Sequence, residues 1–473
     1  MNRSGAVLNQ AYVDDGEGYI TRIKIGKEAQ SQDHCVKEIA AEATDTDYNP
    51  YLHRNVEHPL TNNETLVHLL KIALGTGIFA MPNAFNHAGY LVGFIGTIII
   101  GIITNFCVHM LVNTHYLLCK KKKVPSLTYP LIAEAAFLSG PKCFHKYAAA
   151  MIQVVNVFTL VYEIGACCIY VVFMASNFKE LSDYFLDTKT DIRFIMLIML
   201  FPLILINWIR NLKYLAPLST IGTLFTIASI SIVCYYIFRE PLTFDDGKQA
   251  VGSLRGFPFF FGNVLFALEA IAVIMPLENE MKTPKRFVGV SGILNRSMCI
   301  VIALYVGVGF CGYLKYGPDI KPSITLNLPQ QEILAQAVKT MISCGVFISN
   351  AVVTQVAVDL AWTQYFVNRL TETSNKLLWE YLLRTGIVCI TFLFAVAIPN
   401  LDLFISLLGA LTLSMLGLTM PAIFDCLTQW HHTSGLARFI LILKNATISI
   451  IGLAGLIIGT SISMQDIIKT YFE

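Results

Sequence analysis

Eleven long apolar segments dominate the sequence from residue 65 to residue 464. Each is close to the ~20 residues that a helix needs to cross about 30 Å of hydrocarbon. Only 14% of the residues are charged and 55% are hydrophobic, whereas soluble proteins carry about 25% charged residues. The sequence therefore predicts an all-α integral membrane protein, embedded in a lipid bilayer, with eleven transmembrane helices or spans. They are expected near 65–87, 89–118, 147–176, 192–209, 214–238, 257–277, 290–316, 333–360, 381–399, 401–424 and 440–464.

A polar segment precedes the first span. Residues 1–63 are mixed in charge and poor in apolar runs, which predicts a largely disordered cytosolic tail before a transmembrane domain over 64–473. The start of the chain lacks the apolar stretch of a cleavable signal peptide. The sequence has no basic stripe with interleaved aromatics, no nucleotide-binding motif and no zinc-ligand spacing. Neither nucleic acid nor a metal or other cofactor is therefore expected to bind.

The distribution of Lys and Arg predicts the orientation of the spans, because cytosolic loops are enriched in both residues. With the amino terminus in the cytosol, the inner loops contain 16 Lys and Arg residues and the outer segments contain 9. The bias favours a cytosolic amino terminus and a carboxyl terminus on the opposite side. It does not distinguish a plasma membrane from an endolysosomal membrane.

The first span, which contains HLLKIALGTGIFAMP, is poorly suited to a continuous helix. Gly75 and Gly77 flank Thr76 near its middle, and a proline follows within two turns. If the helix unwinds there, the freed N–H groups of Gly75, Thr76, Gly77 and Ile78 form an anion site at the start of the second half-helix. A carboxylate would fit such a site. Alternatively, the two glycines only let a neighbouring helix approach closely.

The sixth span carries a second set of helix-weakening residues. Gly262 and Asn263 precede an ionisable residue at mid-depth, Glu269, and Pro276 lies towards the inner end. Spans one and six occupy corresponding positions in two five-span repeats of inverted topology, and paired interruptions there indicate a transport site. Because a carboxyl group at mid-membrane is costly, Glu269 is expected either to bind a substrate amino group or to accept a proton. The alternative is a neutral acid that caps carbonyl groups freed by the interruption.

Two further ionisable residues are candidates for proton coupling. His68 lies seven residues before Gly75, which is two helical turns or ~10 Å along the axis. Its side chain titrates near pH ~6.5 when unperturbed, so it could take up a proton under mild acidity. The alternative for His68 is an interfacial histidine at the level of the cytosolic headgroups. Glu163, a mid-membrane acid in span three, is a second candidate for a proton or cation role.

Four segments resemble the proton-coupled amino acid transporters of the amino acid/auxin permease group, as found in insects or other invertebrates. They read HLLKIALGTGIFAMPNAFNHAG, GIITNFCVHMLV, FALEAIAVIMPLENEMK and IPNLDLFISLLGALTLSMLGLTMPAIFD. The similarity runs from about residue 60 to the end of the sequence. It implies a LeuT-like fold, that is, a 5+5 inverted repeat with broken helices 1 and 6 plus one extra helix.

The resemblance also implies roles for individual residues. A small amino acid would bind between spans one, three, six, eight and ten, with its carboxylate on the backbone of Gly75–Gly77. Its amino group and side chain would lie near Phe266 and Glu269, and His68 would take part in proton coupling. The sequence departs from the family where Ile72-Ala73 replaces Gly-Asn, and where alanines replace both glycines of the family's Glu-Gly-Ile-Gly in span six. Both changes narrow the space beside the site.

These observations predict a secondary active transporter rather than an enzyme, since no nucleophile and base are paired within the spans. It would carry small neutral amino acids by alternating access, with spans one, two, six and seven rocking against three, four, eight and nine. The driving gradient could be protons, sodium or the substrate alone. The alternative is an amino acid sensor with little net flux, whose occupancy is read by cytosolic signalling partners of the tail.

Overall fold

The computed structural model describes residues 48–471, except for 55, 57, 58, 211, 245, 246, 269, 270 and 367–374. Residues 1–47, which make up most of the predicted cytosolic tail, therefore lie outside the described residues, as does Glu269. Residues 50–473 form one compact unit. The described part is built almost entirely of helices, which agrees with the all-α fold predicted from the sequence.

Each predicted apolar segment coincides with a helix or with consecutive helices. Spans one to six are Asn62–Ala73 with Gly77–Ala88, Tyr90–Lys122, Ala148–Leu186, Ile192–Asn207, Leu212–Phe238, and Phe257–Ala267 with Ile271–Asn279. Spans seven to nine are Ile293–Tyr316, Ile333–Ala361 and Lys376–Ala397. Span ten is Leu401–Leu408, the π-helix Gly409–Thr419 and Met420–Gln429, and span eleven is Gly435–Ala454, Gly455–Gly459 and Thr460–Tyr471. A further helix, Tyr129–Ser139, lies in the loop between spans two and three.

Within the described residues, eight helices are long and apolar enough to cross a membrane, and the bent pair of span one makes nine. Ile192–Asn207 and Phe257–Ala267 are shorter apolar helices. The total of eleven crossings therefore stays a prediction, although the fold class is as expected.

The interior of the bundle is formed by span ten and by the facing halves of spans one and six. Span ten is 83% buried over its apolar window, against 22% for span eleven and 28% for span nine. In Gly77–Ala88 and Phe257–Ala267, ten and nine residues respectively are buried. Since the exposed spans present apolar side chains that lipid would cover, the two interrupted helices lie at the centre, away from lipid.

The segment before span one packs against the end of span six. Leu60 pairs with Met281 as in a parallel β-bridge, and the Leu60 N–H donates to the carbonyl of Glu280 at 2.8 Å. Arg54 forms a buried ion pair with Glu278 at 3.0 Å, and its guanidinium lies 4.8 Å from the centre of the Tyr51 ring. These contacts fasten the beginning of span one to the end of span six.

Candidate functional site

Span one is interrupted at Leu74–Thr76, where its two helices meet at an angle of 54°. The Leu74 N–H still donates to the carbonyl of Leu70 at 2.9 Å, and the Gly75 N–H turns back to the carbonyl of Ala73 at 2.8 Å. The N–H groups of Thr76, Gly77 and Ile78 have no hydrogen-bond acceptor among the described residues. Three donors are therefore unsatisfied at the start of the helix Gly77–Ala88, where the helix dipole favours negative charge.

This arrangement differs in one detail from the prediction, which placed four free donors at the interruption. Gly75 uses its N–H within the turn, so the available donors begin at Thr76. Thr76, Gly77 and Ile78 are all buried. Buried N–H groups without acceptors are rare because each costs about as much free energy as a lost hydrogen bond. The interruption is thus suited to a ligand that supplies the missing acceptor.

Span seven stabilises the interruption through Tyr305. The phenol of Tyr305 is fully buried, and its hydroxyl donates to the carbonyl of Ala73, the last residue of the first half-helix. A carbonyl at the end of a helix has no partner within that helix. The carbonyl of Ala73 instead accepts from the Tyr305 hydroxyl and from the N–H of Gly75.

Replacing Tyr305 by phenylalanine removes that hydroxyl and keeps the ring. We expect Tyr305→Phe to lower the free energy of unfolding by roughly 0.5–1.5 kcal/mol, the usual net value of one hydrogen bond. Thermal unfolding of the detergent-purified protein measures the change. The matched control is Tyr316→Phe in the same span, whose hydroxyl has no partner among the described residues. Equal stability of the two variants would show that the capping bond contributes nothing.

The end of the helix Phe257–Ala267, beside which the interruption of span six is predicted, lies directly against the interruption in span one. A Cβ added to Gly77 would lie 2.7 Å from Cα of Ala267, the last residue of the helix Phe257–Ala267. Phe266, a predicted site residue, is buried next to this contact. Glu269 follows within two residues but lies outside the described residues. The structure therefore brings the two predicted interruptions together, as the inverted repeat requires.

The two glycines of span one have different environments. Gly77 permits the close approach of span six, which is the packing alternative considered for these glycines. Among the described residues, the one atom within 4 Å of a Cβ added to Gly75 would be the carbonyl oxygen of Ile72, at 3.9 Å. Gly75 thus borders open space, whereas Gly77 borders a backbone. Gly77 therefore agrees with the packing alternative, whereas the binding role of Gly75 stays a prediction.

The two proton-coupling candidates in the described residues occupy different places. His68 is exposed on the first half-helix of span one. Glu163 is buried in span three, one helical turn before Cys167, whose Sγ lies 3.3 Å from Oγ1 of Thr354 in span eight. Glu163 therefore lies in the layer between spans three and eight. No contact of the described residues joins His68 to Glu163.

Sequence reasoning did not single out a polar cluster at the other end of the second half-helix. The Asp402 cluster consists of Asn83, His87, Asn263 and Asp402, from spans one, six and ten. Asp402 accepts from Nδ2 of Asn83 at 2.7 Å and from Nδ2 of Asn263 at 2.9 Å. The second carboxylate oxygen lies 2.8 Å from Nε2 of His87. The signal in the sequence is the presence of amides and a carboxylate in segments that are otherwise apolar and buried.

A pair of aromatic rings lies between this cluster and the interruption. The rings of Phe79 in span one and Phe173 in span three are both buried, with their centres 6.3 Å apart. On the opposite side of the interruption, Leu74 and Gly75 are only half-buried. The chain is therefore buried on the side of the interruption that faces the Asp402 cluster. It is less buried on the other side, towards the beginning of span one.

Three comparisons relate the chain to known proteins. Residues 58–465 match the family described as transmembrane amino acid transporter protein. The chain is 39% identical over 428 residues, 90% of this chain and 89% of the relative, to a Drosophila melanogaster protein named proton-coupled amino acid transporter-like protein pathetic. It is 26% identical over 423 residues, 88% of this chain and 92% of the relative, to the probable amino acid transporter skat-1 of Caenorhabditis elegans.

Among solved structures, the inward-facing conformation of Mhp1 is similar to the model, with a TM-score of 0.52. The match covers 89% of this chain and 93% of that chain, at 11% sequence identity. At this identity the likeness concerns the fold alone. It agrees with the LeuT-like fold that the family resemblance implies.

Proposed function

We propose that this chain, which belongs to the transmembrane amino acid transporter protein family, carries small neutral amino acids together with protons. The family makes it a multi-pass membrane protein that transports amino acids. The size of the substrate, the coupling to protons and the residues that perform each role are inferred from the site.

The observation that supports substrate binding is the set of three unsatisfied N–H groups at Thr76, Gly77 and Ile78. A substrate carboxylate would accept these hydrogen bonds and would gain from the positive end of the helix Gly77–Ala88. We assign the amino group to Glu269, on the sequence argument that a mid-membrane acid needs a cationic or protonic partner. The carboxylate and the amino group of one amino acid would then join span one to span six.

The size limit follows from the packing around the two interruptions. Open space borders Gly75, but Gly77 touches the backbone of Ala267, and Phe266 is buried beside it. A long side chain would have to displace one of these groups. Because protein interiors tolerate little overpacking, the site favours glycine, alanine and proline over large or charged amino acids.

For proton coupling we propose Glu163 and His68, together with Glu269. Glu163 is 4% exposed in span three, and a carboxyl group at mid-membrane is a candidate for a proton or cation role. His68 is exposed on the first half-helix of span one, and histidine is the side chain that proteins most often use to take up and release protons. A proton-coupled relative with 39% identity supports this assignment.

In the transport cycle, the closed side of the site corresponds to the exterior or organelle lumen. This follows if the amino terminus is cytosolic, as the excess of Lys and Arg in the inner loops indicates. The Asp402 cluster and the Phe79–Phe173 pair would then form the outer closure, and would separate when spans one and six tilt away from spans three and ten. We place the protein in the plasma membrane or in an endolysosomal membrane.

Flux into liposomes tests the proposal. Purified protein should take up radiolabelled alanine, glycine and proline saturably, and an inward acid gradient should raise the initial rate. Leucine and arginine, offered at the same concentration, test the limit on size and charge. Uptake that ignores the proton gradient would remove proton coupling, and uptake of arginine in preference to alanine would remove the neutral-substrate assignment.

The role of His68 has its own test. We expect His68→Gln to abolish the stimulation by acid, because a glutamine at this position cannot take up a proton. Uptake at pH 7.5 should stay within about twofold of the wild type, since glutamine keeps a polar, uncharged side chain at this position. His432→Gln is the matched control, because His432 is an exposed histidine that is also expected on the cytosolic side. If both variants keep the stimulation, His68 is an interfacial residue.

A further inference from the structure

The loop between spans six and seven borders an open surface cavity that the transport site does not use. Its volume is about 350 Å³, and its walls include Asn62, Lys285, Arg286, Ser291, Gly292 and Arg296. The loop turns sharply at Gly289, whose φ is +111°, and leads into the helix Ile293–Tyr316. The cavity therefore lies at the end of the bundle where span one begins.

Positive charge dominates the walls of this cavity. Lys285, Arg286 and Arg296 line it, and no Asp or Glu does. None of the three cations has an ion pair or hydrogen-bond partner among the described residues, and all three side chains are exposed. Some other exposed cations, such as Arg239 and Lys321, are paired with acids, whereas these three are not. Three unpaired cations around one cavity attract an anion with several negative oxygens.

The backbone adds to this preference. Gly292 is the N-cap of the helix Ile293–Tyr316, and no side chain caps that end. The Leu294 N–H in the first turn donates to the carbonyl of Phe287 at 3.1 Å, but Gly292 and Ile293 line the cavity, so the positive end of this 24-residue helix lies beside the three cations. Ser291 provides a hydroxyl at the same place. Charge, helix dipole and a hydroxyl group together suit a phosphate.

The position of the cavity indicates where the phosphate comes from. Arg296, Ile300 and Leu304 recur every four residues along span seven, and Ile300 and Leu304 are 41% and 37% exposed. These side chains form a stripe on an apolar helix, which in a membrane faces lipid tails. Arg296 lies at the end of this stripe, at the level of the headgroups. The tip of the loop, Val290, is 95% exposed, so an apolar side chain stands beside the cations, as at membrane-binding surfaces.

We propose that this cavity binds the phosphorylated headgroup of an anionic lipid, such as a phosphoinositide. The lipid belongs to the leaflet at the amino-terminal end of span one, which is the cytosolic leaflet in the proposed topology. Clusters of Lys and Arg at the cytosolic membrane surface recognise such headgroups. This binding site is separate from the transport site and does not depend on which substrate is carried.

The residues of the site belong to spans that move together in the proposed cycle. Asn62 begins span one, and its side chain accepts a hydrogen bond from the Thr283 hydroxyl at 2.7 Å. The remaining residues belong to the loop and to span seven. A bound headgroup would therefore tether spans one, six and seven to the membrane surface without touching spans three or eight. It would change the rate of transport rather than the choice of substrate.

A binding measurement on the purified, full-length protein tests the proposal. The probes are a soluble short-chain phosphatidylinositol bisphosphate, short-chain phosphatidylcholine and free inositol trisphosphate, each titrated by microscale thermophoresis. The wild type should bind the phosphoinositide more tightly than inositol trisphosphate, and should not bind phosphatidylcholine. In the triple variant Lys285→Gln, Arg286→Gln and Arg296→Gln, the affinity should fall by at least about tenfold, since each surface cation contributes measurably to anionic lipid binding.

The matched control removes the same charge from other exposed positions that are expected on the same side, with Lys121→Gln, Lys142→Gln and Lys146→Gln. Its affinity should stay within about twofold of the wild type. An equal loss in both triple variants would show general electrostatic attraction and would overturn the site. Inositol trisphosphate that binds as tightly as the lipid would show a soluble phosphate ligand and would overturn the lipid assignment. If the triple variant is unstable, Arg296→Gln alone should lose about threefold or more, and an unchanged affinity overturns the proposal.

Discussion

Gly77→Ala is expected to reduce amino acid uptake by about a hundredfold or more, although only one methyl group is added. The new Cβ would lie 2.7 Å from Cα of Ala267 and 3.0 Å from its Cβ. A backbone atom cannot move aside as a flexible side chain can, so the helices Gly77–Ala88 and Phe257–Ala267 must separate. These helices carry the two halves of the site, and displacements of about 1 Å can cost a hundredfold in reactions that depend on position.

Two alanine variants make this prediction specific. Gly307→Ala in span seven is the matched control, because no atom lies within 4 Å of the added Cβ, and it should transport normally. Gly75→Ala should fold as stably as the wild type, since the nearest atom to its Cβ is 3.9 Å away. Its methyl group would enter the space proposed for the substrate, so we expect a higher KM. The measurement is the initial uptake rate of each of the three alanine variants, divided by the amount of monodisperse protein in the liposomes. Normal uptake by Gly77→Ala would show that the two interruptions need not touch.

Much of this arrangement could be predicted from local sequence. Gly75, Gly77 and the following proline weaken a helix wherever it packs, so the interruption in span one is a local property. The interruption in span six follows from the same reasoning, combined with the inverted repeat. Free N–H groups at Thr76, Gly77 and Ile78 then result from helix geometry. The loss of Gly75 as a donor depends on a backbone turn that residue types do not specify.

The contacts that hold these helices in place could not be predicted in the same way. Asp402 is 319 residues from Asn83 and 139 from Asn263 along the chain. Arg54 and Glu278 are also distant in sequence, and their ion pair depends on how the start of span one packs against the end of span six. A single sequence shows that these residues are polar and lie in unusual places. Which of them meet is decided by packing of the whole bundle.

The Asp402 cluster gives the second large prediction. In the variant Asp402→Ala, the amides of Asn83 and Asn263 and the imidazole of His87 lose their shared acceptor. Each buried polar group left without a partner costs roughly 1–3 kcal/mol. The substitution therefore destabilises the closed arrangement of spans one, six and ten. It does not destabilise the open arrangement, because there the same polar groups can form hydrogen bonds with water. The equilibrium should therefore shift towards the open form by about a hundredfold or more.

Hydrogen exchange followed by mass spectrometry measures this shift directly. Peptides from Gly77–Ala88 and Phe257–Ala267 should exchange about a hundredfold faster in Asp402→Ala than in the wild type, because exchange there requires opening of the cluster. Glu240→Ala is the control, since the Glu240 side chain is 70% exposed and forms a surface ion pair with Lys315, and such pairs contribute little to stability. Asp402→Asn keeps an acceptor oxygen for the two amides and should give an intermediate rate. Unchanged protection of both helices in Asp402→Ala would show that the aromatic pair Phe79–Phe173 closes this side without the cluster.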